Sequence, residues 1–191
     1  PLTLLGSDAY FPNLLTLLRV GMTVPIAWLL LDQQHAQALV WFALAGASDG
    51  LDGFLARRFG WVSRFGSIID PLADKLLLVT SYICLSIVGD LPVWLAAVVL
   101  GRDFLLLGGA IVYRSMLGPF EIRPSRLGKL STVLQIVLVL ALLLELSIYP
   151  DFAEVHMLLV WLVLLVTLAS GADYCRVWLG KFNSERRRLH R

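Results

Sequence analysis

The run GKLSTVLQIVLVLALLLELSIY, residues 128–149, carries one lysine at its start and one glutamate near its end, with little but apolar residues between. At 1.5 Å of rise per residue its length reaches about 33 Å as a helix, enough to cross a hydrocarbon layer about 30 Å thick. The whole chain agrees with this one segment. It has 191 residues, 58% hydrophobic and only 16% charged, with a mean hydropathy of +0.78. That balance rules out a disordered chain and argues against an ordinary soluble domain, because soluble domains are about 25% charged. The fold class expected is an all-α integral membrane protein, a single domain over residues 1–191. Cys84 and Cys175 both lie in apolar runs, so neither a disulfide framework nor zinc-finger spacing is present.

Working outward, five more stretches of similar length are apolar, so that spanning helices are expected over 14–31, 36–56, 66–88, 92–113, 128–149 and 155–179. Pro12 and Asn13 before the first make a helix start. The turns Asp32–His35, Gly89–Pro92 and Pro150–Glu154 contain no Lys or Arg, whereas Arg57–Arg64, Arg114–Lys129 and Arg176–Arg191 hold most of the basic residues. The positive-inside rule then places both termini and the two basic loops in the cytoplasm, with Arg19 counted among the basic residues of that side. No basic region followed by an apolar stretch and a small-residue cleavage site opens the chain, so no cleavable signal peptide is expected. The Arg186–Arg188 cluster suits anionic lipid head groups, with no reason to expect nucleic acid. His35 reads as a solvated or interfacial residue of an outer turn. Trp28 and Trp94, near span ends, read as interface anchors.

Four acids interrupt the apolar pattern: Asp49 and Asp52 at the end of the second span, Asp70 and Asp74 at the start of the third. Clustered and uncompensated, they would cost on the order of 10 kcal/mol to hold in a bilayer, before their mutual repulsion. Positive charge must therefore be bound there. The pairs are spaced i, i+3 and i, i+4, so each projects from one helix face with Cβ atoms about 5–6 Å apart. Hard oxygen donors without His or Cys suit Mg²⁺ or Mn²⁺. Two ions about 4 Å apart would match a site that handles a diphosphate. Gly53 and Ala56 each follow an acid by one turn, and Gly66 shares a stripe with Asp70 and Asp74. Small residues there admit either a ligand or a neighbouring helix. Arg57, one turn beyond Gly53, could bind phosphate oxygens or fix an aspartate.

Together these residues form D-x-x-D-G-x-x-A-R-x8-G-x3-D-x3-D, from Asp49 through Asp52, Gly53, Ala56, Arg57, Gly66 and Asp70 to Asp74. This resembles the signature of the CDP-alcohol phosphotransferase family with every fixed position filled. Pro12-Asn13-Leu-Leu-Thr16-Leu-Leu-Arg19 and Gly128-Lys129-Leu-Ser-Thr132 with Gln135 are similar to segments of its phosphatidylglycerophosphate synthase and cardiolipin synthase branches. The resemblance implies six transmembrane helices, a homodimer and a divalent-metal site open to the cytoplasmic leaflet, in a bacterial inner membrane. It also implies transfer of a phosphatidyl group from CDP-diacylglycerol to an alcohol, with CMP released. Asp49, Asp52 and Asp70 are then expected as ligands of Mg²⁺ or Mn²⁺, and Asp74 as a ligand or near-ligand and the general base. Gly53, Ala56, Gly66 and Asn13 are expected at the CDP-linked donor, with Arg57 holding the site together.

For the acceptor, Arg102, Arg114, Arg126 and Lys129 offer a cationic rim suited to a phosphorylated alcohol. Either phosphatidylglycerol or glycerol 3-phosphate would serve. Ser67–Lys75 with Gly101-Arg102-Asp103 and Arg114 looks closer to eukaryote-type cardiolipin synthases, which tips the expectation towards phosphatidylglycerol. The other branch more often has Arg-Glu there and a further Arg eight residues on, where this chain has Ala110. Intramembrane prenyltransferases also bind Mg²⁺-diphosphate through aspartates, but their two motifs lie far apart in longer chains. A divalent-cation transporter is the reading of a different class, weakened by the absence of an inverted repeat.

Overall fold

The computed structural model describes the backbone of residues 10–59, 66–117, 126–148 and 153–189, with side chains within 18–48, 73–109, 126–148 and 154–176. All regular structure among these is helical: α1 (Tyr10–Leu31), α2 (His35–Phe59), α3 (Gly66–Val88), α4 (Val93–Leu117), α5 (Arg126–Ser147) and α6 (Ala153–Leu189). Each covers one expected stretch. Two of the described helices, Arg126–Ser147 and Glu154–Arg176, are long and apolar enough to cross a membrane, and Leu18–Leu31 is a shorter apolar helix.

The ends differ from expectation in instructive ways. α1 begins at Tyr10, so Pro12 and Asn13 lie inside its first turn. Proline is tolerated there because the first helical N–H groups have no intrahelical acceptor anyway. Pro71 is the sixth residue of α3, beyond those free N–H groups, and removes one backbone hydrogen bond from the second turn. α6 runs past its apolar stretch to Leu189, because Lys, Glu and Arg favour helix without being apolar.

Both described turns with positive φ close a helix in the same way. At the end of α3, Gly89 has φ 89° and the Asp90 N–H reaches back to the Leu85 carbonyl at 3.0 Å. After α1, Gln33 takes φ 57°, its N–H donates to the Leu30 carbonyl at 3.2 Å, and the Gln34 N–H donates to Leu29 at 2.9 Å. This is the Schellman arrangement, which satisfies carbonyls that a helix end leaves without partners.

The chain divides into two compact units, Pro1–Leu91 with Val139–Ala153, and Pro92–Leu138 with Glu154–Arg191. In the first, α1 packs along both α3 and α2. Its buried stripe runs Arg19, Thr23, Ile26, Leu30, the spacing of one helix face. α2 contributes Ala38, Phe42 and Ala45, and α3 contributes Leu77, Leu78, Ser81, Tyr82 and Leu85. The two alanines let the helices approach closely. Val24 and Trp28 of α1, and Val40, Trp41 and Leu44 of α2, are exposed, as befits surface that would meet lipid.

At the turn end of this unit His35 Nε2 lies 2.8 Å from Asp90 Oδ2, with exposures of 14% and 16%. Of the two roles expected of His35 the solvated one is corrected, since it ties the start of α2 to the segment after α3. His35→Ala should lower stability by about 1 kcal/mol, read as a fall in the apparent melting temperature in detergent. Asp90→Asn, which retains an acceptor oxygen, should lose less.

In the second unit the buried faces are Leu95, Ala96, Val99 and Arg102 on α4, and Val160, Val163, Thr167 and Ser170 on α6, with Ser131, Gln135 and Leu138 from α5. Trp94 and Trp161 pair as tilted rings, centroids 6.1 Å apart, so Trp94 has a protein neighbour besides any interfacial role.

Candidate active site

Helix register within the first unit brings the four motif aspartates to one end. Asp49 and Asp52 lie in the last turns of α2, Asp70 and Asp74 in the first turns of α3, and only residues 60–65 join the two helices. Counting 1.5 Å per residue from those helix ends, Asp52, Asp49 and Asp74 sit about 10–15 Å along and Asp70 about 6 Å. Gly53, Ala56 and Arg57 occupy the same end of α2, Gly66 opens α3, and Asn13 lies in the first turn of α1. The side chains of Asn13, Asp49, Asp52, Ala56, Arg57 and Asp70 lie outside the described residues.

Asp74 is described, and it is not alone. Arg19 Nη1 donates to Asp74 Oδ1 at 2.6 Å, with Arg19 1% exposed and Asp74 38%. Arg19 is the tenth residue of α1 and Asp74 the ninth of α3. Arg19–Asp74 and His35–Asp90 both join residues 55 apart in sequence. Arg19 and Asp74 lie within α1 and α3, and His35 and Asp90 lie just past the C-terminal ends of those helices, so α1 and α3 run parallel. Side chains at equal depth therefore face each other. The sequence marks Arg19 as a basic residue near the start of the first span, and the structure adds its burial and its partner. Arg19 belongs to the buried face of α1. A clue was available in the spacing Arg19, Thr23, Ile26, Leu30, which is one helix stripe, but the partner 55 residues away leaves no mark on local pattern.

The donor set at this end fits a hard divalent cation. Carboxylates supply oxygen, and no imidazole or thiol competes on these turns of α2 and α3. Arg19 meets the charge of Asp74, and Arg57, Arg58 and Lys75 stand on the same turns as the other acids. Among the described side chains no three His, Cys, Asp or Glu residues converge.

The four basic residues expected at an acceptor all belong to the second unit. Arg126 and Lys129 are exposed at the start of α5, and Arg114 is near the end of α4 with its side chain outside the described residues. Arg102 is buried. Its Nη1 donates to Asp103 Oδ1 at 2.7 Å and its Nη2 to Ser170 Oγ at 2.7 Å, while Nε finds no partner among the described residues. Nearby on α5 and α6, Gln135 Nε2 donates to Ser131 Oγ at 3.1 Å, and Ser131 and Thr167 share a hydrogen bond of 3.2 Å. Such side chains bridge helices where no water competes. Asp103→Leu should cost about 3 kcal/mol, since it strands a buried guanidinium. The double change Arg102→Leu with Asp103→Leu should cost less than the single, in a denaturant unfolding series.

Residues 9–169 match the family described as CDP-alcohol phosphatidyltransferase. Among curated relatives, a fission-yeast cardiolipin synthase (CMP-forming)/mitochondrial hydrolase fusion protein is 36% identical, over 86% of this chain and 30% of its own length. A rice chloroplastic CDP-diacylglycerol–glycerol-3-phosphate 3-phosphatidyltransferase is 36% identical, over 85% of this chain and 55% of its own. A probable phosphatidylglycerophosphate synthase of Mycobacterium tuberculosis is 36% identical, over 87% of this chain and 80% of its own. The chain thus spans about a third and about half of the first two.

Proposed function

Because the chain belongs to the CDP-alcohol phosphatidyltransferase family, we propose that it transfers a phosphatidyl group from CDP-diacylglycerol to an alcohol acceptor and releases CMP, in the synthesis of an anionic phospholipid. What supports this reading is the position of Asp49 and Asp52 in the last turns of α2 and of Asp70 and Asp74 in the first turns of α3, the next helix along the chain. The acceptor hydroxyl attacks the phosphorus next to the lipid, the bond to the CMP oxygen breaks, and a base must take the hydroxyl proton. Asp74 has that role. Its carboxylate is partly exposed and is held by Arg19, so it is both aimed and reachable.

Asp49, Asp52 and Asp70 would hold Mg²⁺ or Mn²⁺. Two such ions, when bound, supply positive charge to the diphosphate and to the departing CMP. Gly53, Ala56, Gly66 and Asn13 leave room for and contact the cytidine-bearing donor, and Arg57 braces the acids or the phosphates. In this proposal residues 1–191 act as one membrane domain with six spans, cytoplasmic termini and a homodimeric assembly. The site opens to the cytoplasmic face of a bacterial inner membrane. The unequal distribution of Lys and Arg between the two sets of loops supports that orientation.

For the acceptor we favour phosphatidylglycerol, on the sequence Gly101-Arg102-Asp103 and the absence of Arg at Ala110. Glycerol 3-phosphate is the second reading, favoured by the name of the rice relative. Exposed Arg126 and Lys129 are better suited to meet a phosphorylated head group than Arg102, whose terminal nitrogens are engaged by Asp103 and Ser170. Purified protein in liposomes should release CMP from CDP-diacylglycerol with Mg²⁺. Offered labelled phosphatidylglycerol and glycerol 3-phosphate in parallel, it should place the label in cardiolipin. Label in phosphatidylglycerophosphate would select the second reading. No CMP with either acceptor would overturn both and leave cation transport.

A further inference from the structure

We propose that the buried core of the second unit holds an enclosed water, which accepts a hydrogen bond from Arg102 Nε and donates one to Gln135 Oε1. The inference stands apart from the phosphatidyl-transfer reading. Arg102 and Gln135 are 8% and 0% exposed, yet Arg102 Nε and Gln135 Oε1 find no hydrogen-bond partner among the described residues. The first can only donate and the second can only accept. Both belong to one set of polar side chains shared by α4, α5 and α6. Arg102 Nη2 donates to Ser170 Oγ at 2.7 Å, and the Arg102 stem lies along α6, where a Cβ at Gly171 would stand 3.9 Å from Arg102 Cγ. Gln135 Nε2 donates to Ser131 Oγ at 3.1 Å, and Ser131 Oγ meets Thr167 Oγ1 at 3.2 Å. Thr167 and Ser170 are three residues apart on α6, on one face and about 4.5 Å along the axis. Between α4 and α5 the chain of hydrogen bonds is interrupted at that one turn of α6.

Charge, size and hydrogen-bond type select the occupant. Asp103 Oδ1 lies 2.7 Å from Arg102 Nη1, so the guanidinium already has an anion beside it and the added group is neutral. Ser131, Gln135, Thr167 and Ser170 are each 0% exposed, so the added group is also small. It must accept at Arg102 and donate at Gln135. Ser170, whose oxygen accepts from Arg102, has a hydroxyl proton to offer it as well. A water makes all three bonds, the usual number for a buried one. A guanidinium N–H and an amide oxygen left dry would weigh against the fold. Bulk solvent does not reach these groups, and a single enclosed molecule completes them. Arg102 then serves the joining of three helices, and phosphate is not its ligand.

The test uses the full chain with isotope-labelled arginine in phosphatidylcholine nanodiscs. Nuclear magnetic resonance reads dipolar transfer from water protons to the Arg102 Nε–H, which is recognised by its contact with the Ser170 side chain. The unmodified chain should give a cross-peak with the sign of a slowly tumbling, bound water. Gln135→Met should lose it, because the thioether has the length of the amide side chain but accepts only weakly. Thr132→Val removes a hydroxyl outside this set, bonded to the Gly128 carbonyl of its own helix at 3.3 Å, and should retain the cross-peak. Added inorganic phosphate should leave the Arg102 Nε resonance where it is. Absence of the cross-peak from the unmodified chain overturns the proposal, as does its undiminished persistence in Gln135→Met or a shift of the Nε resonance with phosphate. In nanodiscs that contain phosphatidylglycerol the transfer should still come from water. Transfer from lipid glycerol protons would give the site to a lipid hydroxyl and overturn the water. If Gln135→Met does not accumulate, the unmodified chain decides by itself, through the water cross-peak and the response to phosphate.

Discussion

Asp74→Asn is expected to lower phosphatidyl transfer by about 1,000-fold while the protein still accumulates in the membrane. The amide has the shape of the carboxylate and keeps an oxygen that can accept the Arg19 N–H bond now made at 2.6 Å, so the helix pairing survives. It cannot take a proton from an attacking hydroxyl. General-base catalysis contributes about 10²- to 10⁴-fold, and the loss should fall in that range. Replacing a charged acceptor by a neutral one beside a buried guanidinium also costs about 1–2 kcal/mol of stability, too little to unfold a helical membrane protein. CMP release in membranes, normalised to the amount of protein, is the measurement. Near-normal turnover would remove Asp74 from the role of base.

The second large effect concerns the acids of α2 and the first turn of α3. Asp52→Asn and Asp70→Asn should each weaken Mn²⁺ binding by at least about 100-fold, because hard cations are held by carboxylate charge that a neutral amide does not replace. Transfer should be lost with binding. Glu154→Gln, exposed at the start of α6 in the other unit, serves as the control for removal of an acid and should leave both unchanged. Calorimetric titration of the purified chain checks this directly. If the two aspartate variants bind Mn²⁺ as the unmodified chain does, the quartet is not a metal site.

Much of the helical layout was legible because apolar runs of this length have few alternatives. The expected stretch 66–88 is α3 residue for residue, and the other helices differ mainly at their polar ends. Those ends escaped because hydropathy measures burial in lipid, not helix formation. The charged tail of α6 continues as helix without being apolar, and Tyr10 to Asn13 enter α1 ahead of its apolar run. The motif acids were legible for a different reason. Spacings of three and four residues translate directly into a shared helix face, and carboxylates in an apolar segment demand compensation.

The local pattern of residues thus dictated an all-helical chain of hydrophobic segments and the family's eight-position motif, since periodicity and spacing are properties of neighbours along one helix. Beyond neighbours such as Arg102 and Asp103, it did not say which cation answers which acid. That Arg19 meets Asp74, that His35 meets Asp90 and that Arg102 reaches Ser170 depend on how segments 55 or 68 residues apart are aligned. Such alignment is set by the sum of buried stripes packing together, and no short stretch of sequence contains it.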